Sequence, residues 1–183
     1  MKELSLNILD IAENSVRADA TLTEIEISEN SDFLSIILKD NGIGMTEKTL
    51  ESVRDPFFTT RTERKVGMGI PLLEFAAERT GGHIEIESKH IDSYPLGHGT
   101  TVRAFFNKGH IDFAPLGDII STLITLIQGH PDRDFVFVHK KEGLIISLDT
   151  REIRESLGDI PLNTFEVLMW IRDNLREQYD AKI

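Results

Sequence analysis

FLSIILKDNGIGM, residues 33–45, is the stretch on which the fold turns. Leu34, Ile36 and Leu38 recur at every second position, so the first half is a half-buried strand. From Asp40 to Met45 the alternation stops, and a carboxylate, an amide and two glycines follow. Taken alone, Asp40-Asn41-Gly42 is turn chemistry, because Asp, Asn and Gly bend chains most readily. What precedes and follows it gives it more weight.

Upstream, residues 23–28 alternate as another strand, joined to the first by the hairpin-like turn Glu29 to Asp32. Before that, residues 5–17 have helical spacing, with Ser5 as N-cap and Leu6, Leu9, Ile11, Ala12 and Val16 apolar. Asp10, Asn14 and Arg17 then fall on one polar stripe. Downstream, Thr46 to Val66 is polar with a short helical piece, and is expected to order only around a ligand. Gly67-Met68-Gly69-Ile70-Pro71 opens a helix that Gly81-Gly82 ends. Residues 83–88 and 100–106 alternate as strands. Past residue 110 come a helix up to Gly129, a strand pair at 135–138 and 144–148, and helices at 150–157 and 163–178.

Composition narrows the function. The net charge of −11 disfavours a general nucleic-acid coat. With no cysteine, disulfides, thiolate metal sites and thiol nucleophiles are excluded. The six histidines lack the spacing of a zinc site. No signal-peptide core or membrane-length apolar run stands in the sequence, so the cytoplasm is the expected location.

The order of elements suits a nucleotide. Asp40 can accept a hydrogen bond from the amine of adenine, and Gly42 and Gly44 let the backbone pass close to the base. Amides at the Gly67–Ile70 helix start would face phosphate oxygens. Asn14 offers a neutral oxygen to a magnesium ion already bound to phosphates.

These stretches together resemble the Bergerat-fold, or GHKL, ATPases, the group of DNA gyrase, heat-shock chaperones, mismatch-repair ATPases and sensor histidine kinases. Residues 13–21 are similar to the asparagine box, residues 40–44 to the first glycine box, residues 67–70 to the second and Gly99-Thr100 to the final Gly-Thr. Residues 55–61 look like the phenylalanine box of histidine kinases, and residues 81–85 match the run after the kinase lid helix. The resemblance covers roughly residues 5–107. It implies an α+β fold: a two-layer sandwich of helices on a mixed, largely antiparallel sheet, with ATP and Mg2+ between the layers. It further implies nucleotide contacts from Asn14, Arg17, Asp40, Gly42, Gly44, Met45, Thr60, Arg61, Lys65, Gly67, Met68, Gly69, Ile70 and Thr100. In it Asn14 is the metal ligand, Thr100 supports Asp40, and Asp10 orients or deprotonates the nucleophile.

Three departures matter. Lys65 stands where the second glycine box usually begins with glycine. Position 10 is Asp where many relatives have Glu. The asparagine-box helix opens the sequence, so the histidine-bearing helix pair of ordinary histidine kinases is not expected. Residues 110–115 are similar in outline to a histidine box, but the acid falls one place late after a strand, so His110 is expected to be a surface residue. Trp170 is expected to pack, and the arginines of 151–176 to lie on a solvated face.

The expected organisation is an ATP-binding domain at 1–110 and an α+β extension at 111–183 that supplies a partner or self-association surface, a homodimer included. Three functions fit: a soluble kinase acting on a separate protein, an ATP-hydrolysing conformational switch, or a non-catalytic ATP sensor. Neither nucleic acid nor membrane is an expected partner.

Overall fold

The computed structural model describes residues 3–53 and 69–181. The phenylalanine-box stretch and the expectations on Thr60, Arg61, Lys65, Gly67 and Met68 lie outside the described residues. Helix α1 (Leu4–Arg17) leads into the hairpin β1 (Leu22–Glu29) and β2 (Phe33–Asp40). Asn30 holds the hairpin turn, its Oδ1 accepting from the backbone of Asp32 at 2.9 Å and Phe33 at 2.8 Å. Then come α2 (Glu47–Ser52), α3 (Gly69–Glu78), β3 (His83–Lys89) and β4 (Gly99–Asn107). The chain continues through α4 (Ile119–Gly129), β5 (Asp134–Lys141), β6 (Leu144–Asp149), α5 (Thr150–Leu157) and α6 (Phe165–Asp180).

All six strands join one sheet in the order β3-β4-β2-β1-β5-β6. Neighbours are antiparallel except β1 and β5, which run parallel with Leu22 opposite Asp134. The fold is α+β with a mixed, largely antiparallel sheet, as the resemblance implied. The strand pair after residue 110 extends the main sheet instead of standing apart. Every second residue of β1 and β2, such as Ile25, Ile27, Leu34 and Ile36, is buried. Over this face α3 packs on β3 and β4, α1 on β1 and β2, and α6 on β6, with α4 between α1 and α6. One core runs through both halves of the sequence, from Leu4, Ile8 and Ile36 to Leu126, Phe137 and Ile171.

Several sequence expectations change here. Ser5 does not cap α1; it lies buried inside the helix, and Glu3 takes the N-cap position without a side-chain bond. The helix start is satisfied by backbone instead: Leu4 and Ser5 donate to the carbonyls of Pro115 (2.9 Å) and Leu116 (2.8 Å). This arrangement turns the helix so that Leu6 is exposed and Asn7 buried. Trp170 is 56% exposed, while its neighbours Val167, Leu168 and Ile171 make the packing. Arg154 is not a solvated-face residue. It donates to the carbonyls of Pro131 and Arg133 and pairs with Asp134, fixing the loop before β5.

At the far end of the sheet His139 is buried, with its Nδ1 2.7 Å from the Tyr179 hydroxyl and its Nε2 3.2 Å from Glu29. Lys108 and Lys141 pair with the same Glu29. Burial pushes the His139 imidazole below its ordinary value of 6.5, against the pull of Glu29. The unfolded chain therefore binds this proton more readily than the folded one. The stability contribution is complete above pH ~6.5 and is lost as pH falls below it. We expect the urea midpoint to drop between pH 7.5 and pH 5.5, and His139→Gln to flatten that drop. An equal drop in the variant would assign it to other groups.

Candidate functional site

Five elements, α1, β2, α2, α3 and β4, converge where α1 and β2 end. They enclose a cleft of about 410 Å³, a size that holds a small ligand. Helix α1 contributes Ile11, Asn14, Ser15 and Arg17, with Ala18 just past its end; β2 contributes Leu38 and Asp40; the following loop gives Ile43 to Thr46. The start of α3 gives Gly69, Ile70 and Pro71, and β4 gives Thr100 and Val102.

Asp40 is the most fully engaged polar group there. Its Oδ2 accepts from Ser15 Oγ at 2.8 Å, and its Oδ1 from the backbone N–H of Gly42 at 2.9 Å and of Thr100 at 3.2 Å. A carboxylate has about four acceptor directions, so three donors hold it in place and leave one for a ligand amine. Thr100 thus supports Asp40 through its backbone, while its hydroxyl meets Ser88 Oγ at 2.8 Å. Ser88 also accepts from Met45 N–H at 2.7 Å, tying the glycine loop to β3.

The loop is closely fitted. Gly44 has φ +71°, and a Cβ there would sit 2.0 Å from the Lys89 carbonyl oxygen, so the position requires glycine. A Cβ on Gly42 would stand 2.6 Å from the Ala18 carbonyl oxygen, the atom that accepts from Ile43 N–H at 2.8 Å. Asn41 points away from the cleft. Its Oδ1 accepts from Thr21 and Leu22, fixing the turn between α1 and β1.

At the other end of the cleft, Asn14 Oδ1 accepts from Arg17 Nη1 at 3.1 Å. Gly69 packs against this turn of α1: a Cβ on it would lie 3.3 Å from Asn14 Nδ2 and 3.5 Å from Asp10 Cβ. Asp10 itself is exposed and does not line the cleft; it stands at the edge, beside the start of α3. The structure therefore brings Asn14, Arg17, Asp40, Gly44, Met45, Gly69, Ile70 and Thr100 around one cleft, with Gly42 in the adjoining turn. Sequence reasoning missed Ser15, Ser88 and the Ala18 carbonyl. A serine directly after Asn14 was the one available signal.

The model for the histidine kinase-, DNA gyrase B-, and HSP90-like ATPases matches residues 2–110. Among curated proteins, the "Probable C4-dicarboxylate sensor kinase" of Halalkalibacterium halodurans is 33% identical over 102 residues, 56% of this chain and 18% of that protein. Sporulation kinase A of Bacillus subtilis is 31% identical over 108 residues, 59% of this chain and 16% of that protein. The chain thus spans less than a fifth of the length of these relatives. A crystal structure of the N-terminal domain of a DNA repair protein superposes with a TM-score of 0.55 at 17% identity, covering 81% of this chain and 53% of that one. Residues 1–110 are too few to supply 81% of a chain of 183, so the shared fold includes elements after residue 110.

Proposed function

The chain belongs to the histidine kinase-, DNA gyrase B-, and HSP90-like ATPase family, and from that premise we propose that it is an ATP-dependent protein kinase module that transfers the γ-phosphoryl group to a separate protein in signalling. The family implies ATP binding, and the two relatives described above bear kinase names. The observation that carries the nucleotide assignment is Asp40, held by three donors with an acceptor direction left over. The adenine amine would donate to it. Asn14 would hold Mg2+, and Arg17 would face phosphate. A guanidinium and a metal ion repel at one oxygen, so Arg17 would leave Asn14 when the metal arrives. Bound magnesium would neutralise charge on the phosphates, and such transfer is mostly positioning plus neutralisation.

A second reading, ATP sensing without turnover, has one observation in its favour: Asp10 is exposed and outside the cleft lining. Among the described residues no helix is long and apolar enough to cross a membrane. A cytoplasmic site of action, where ATP is supplied, accords with both readings. The extension at 111–183 would carry the partner or self-association surface. Its apolar helix faces are used in the core, which leaves Phe165 and Trp170 as the exposed large apolar side chains of α6.

Incubation with γ-labelled ATP and magnesium in cell extract tests the proposal. Label on another protein supports the kinase. Free phosphate alone indicates a hydrolysing switch, and ATP binding without either product indicates a sensor. Asp40→Asn checks the pocket itself. The new amide can keep its oxygen on Gly42 and Thr100 and turn its NH2 toward Ser15, whose hydroxyl can accept. Folding is therefore retained, but the NH2 meets the adenine amine donor to donor. Loss of a charge-assisted hydrogen bond of about 1.5–3 kcal/mol weakens ATP binding about 10- to 150-fold. Unchanged calorimetric affinity would remove Asp40 from the base site.

A further inference from the structure

Residue Glu13 lies next to the proposed magnesium ligand Asn14, and its charge has to be kept from the phosphates. The structure shows what holds it. His130, at the end of α4, places Nε2 2.9 Å from Glu13 Oε1, with both side chains only about a quarter exposed (25% and 28%). The other carboxylate oxygen, Oε2, stays 3.9 Å from Arg17 Nη2. Arg17 in turn reaches Asn14 Oδ1. A continuous line of side chains therefore runs from the extension after residue 110 into the phosphate end of the cleft: His130, Glu13, Arg17, Asn14. The loop bearing His130 is itself fixed, because Arg133 donates to the Ala20 carbonyl at 3.2 Å and Arg154 holds the carbonyls of Pro131 and Arg133.

The geometry points to His130 as a positioning residue for the nucleotide's phosphates: it keeps the Glu13 carboxylate turned toward α4 and so leaves Arg17 available to phosphate. This rests on the ATP-binding reading above. Without the imidazole, Glu13 is free to close on Arg17, its i+4 neighbour on α1, and to face the triphosphate with an unshared negative charge.

The test is a double-mutant cycle on the full chain, reading the dissociation constants of Mg-ATP and of adenosine by calorimetry. His130→Ala should weaken Mg-ATP binding about two- to fivefold, the scale of one partly exposed hydrogen bond. It should leave adenosine, which has no phosphates, unaffected. In a Glu13→Gln background the same change should cost nothing, since the charge is gone. His130→Gln, whose amide still donates to Glu13, should restore wild-type affinity. An equal loss for ATP and adenosine, an equal loss in both backgrounds, or no loss would overturn the inference. A wild-type chain that binds no ATP would instead overturn the parent reading, and this one with it.

Discussion

Asp10→Asn is expected to keep its affinity for ATP and to lose phosphoryl transfer or hydrolysis by about 10²–10⁴, the usual worth of general-base help. Asp10 lies one helical turn before Asn14 and beside Gly69, so its carboxylate stands at the edge of the cleft where the γ-phosphate would lie. It is not among the donors that hold Asp40, and its loss should leave Asp40 and those donors in place. Aspartate is one methylene shorter than glutamate, so a water or a closer approach of α3 would bridge it to the nucleophile. Single-turnover kinetics beside calorimetry separate the outcomes. Wild-type turnover would make Asp10 a solvated helix residue and strengthen the sensor reading. Loss of ATP affinity as well would mean that it holds the metal or the helix.

Truncation after residue 110 should have the largest effect on the fold. The sequence division at that point suggests a free-standing nucleotide domain. The fragment would lose the Pro115 and Leu116 carbonyls that satisfy the start of α1, and the parallel ladder from Asp134 to Lys141 along β1. It would also expose Ile25 and Ile27, which face a core shared with Leu123, Leu126 and Phe137. A bared β1 presents unpaired backbone groups beside apolar side chains, which favours association. We expect an insoluble or molten fragment. Phe137→Ala, a milder version of the same loss, should cost about 3–5 kcal/mol in the whole chain by urea titration. A soluble, cooperatively unfolding 1–110 fragment would show that the sequence division is a folding division too.

The legible parts of this protein were those written locally. Strand β2 announced itself by alternation, and Asp40 by its place at the strand end before two glycines. Helical spacing puts Asp10, Asn14 and Arg17 on one stripe, and the resemblance gave them their expected roles; of the three, Asn14 and Arg17 line the cleft. What was not legible depends on partners far along the chain. Ser15 reads as an ordinary helix serine until the fold sets Asp40 against it, 25 residues away. The cap of α1 leaves no side-chain signature, because it is made of two backbone carbonyls; the nearby serine drew the assignment instead. Trp170 misled through its apolar neighbours, since one face of α6 was enough for the core. Nothing in the sequence of β5 says that it will lie parallel to β1, because register between distant strands has no local mark.

The same long-range joins fix an order of events. Helix α1 is made well before the residues that hold it: its contacts Thr122–Ser5 and His130–Glu13 each close a span of 117 residues. Chain-closure entropy has to be met before such contacts return anything, and folds dominated by them form slowly. During translation the asparagine-bearing helix and strand β1 therefore wait, unpaired on one side, until the β5–β6 hairpin has emerged. The nucleotide cleft is completed only after the β5–β6 hairpin has joined the sheet, and the interval before that is the period in which a chaperone has the most to protect.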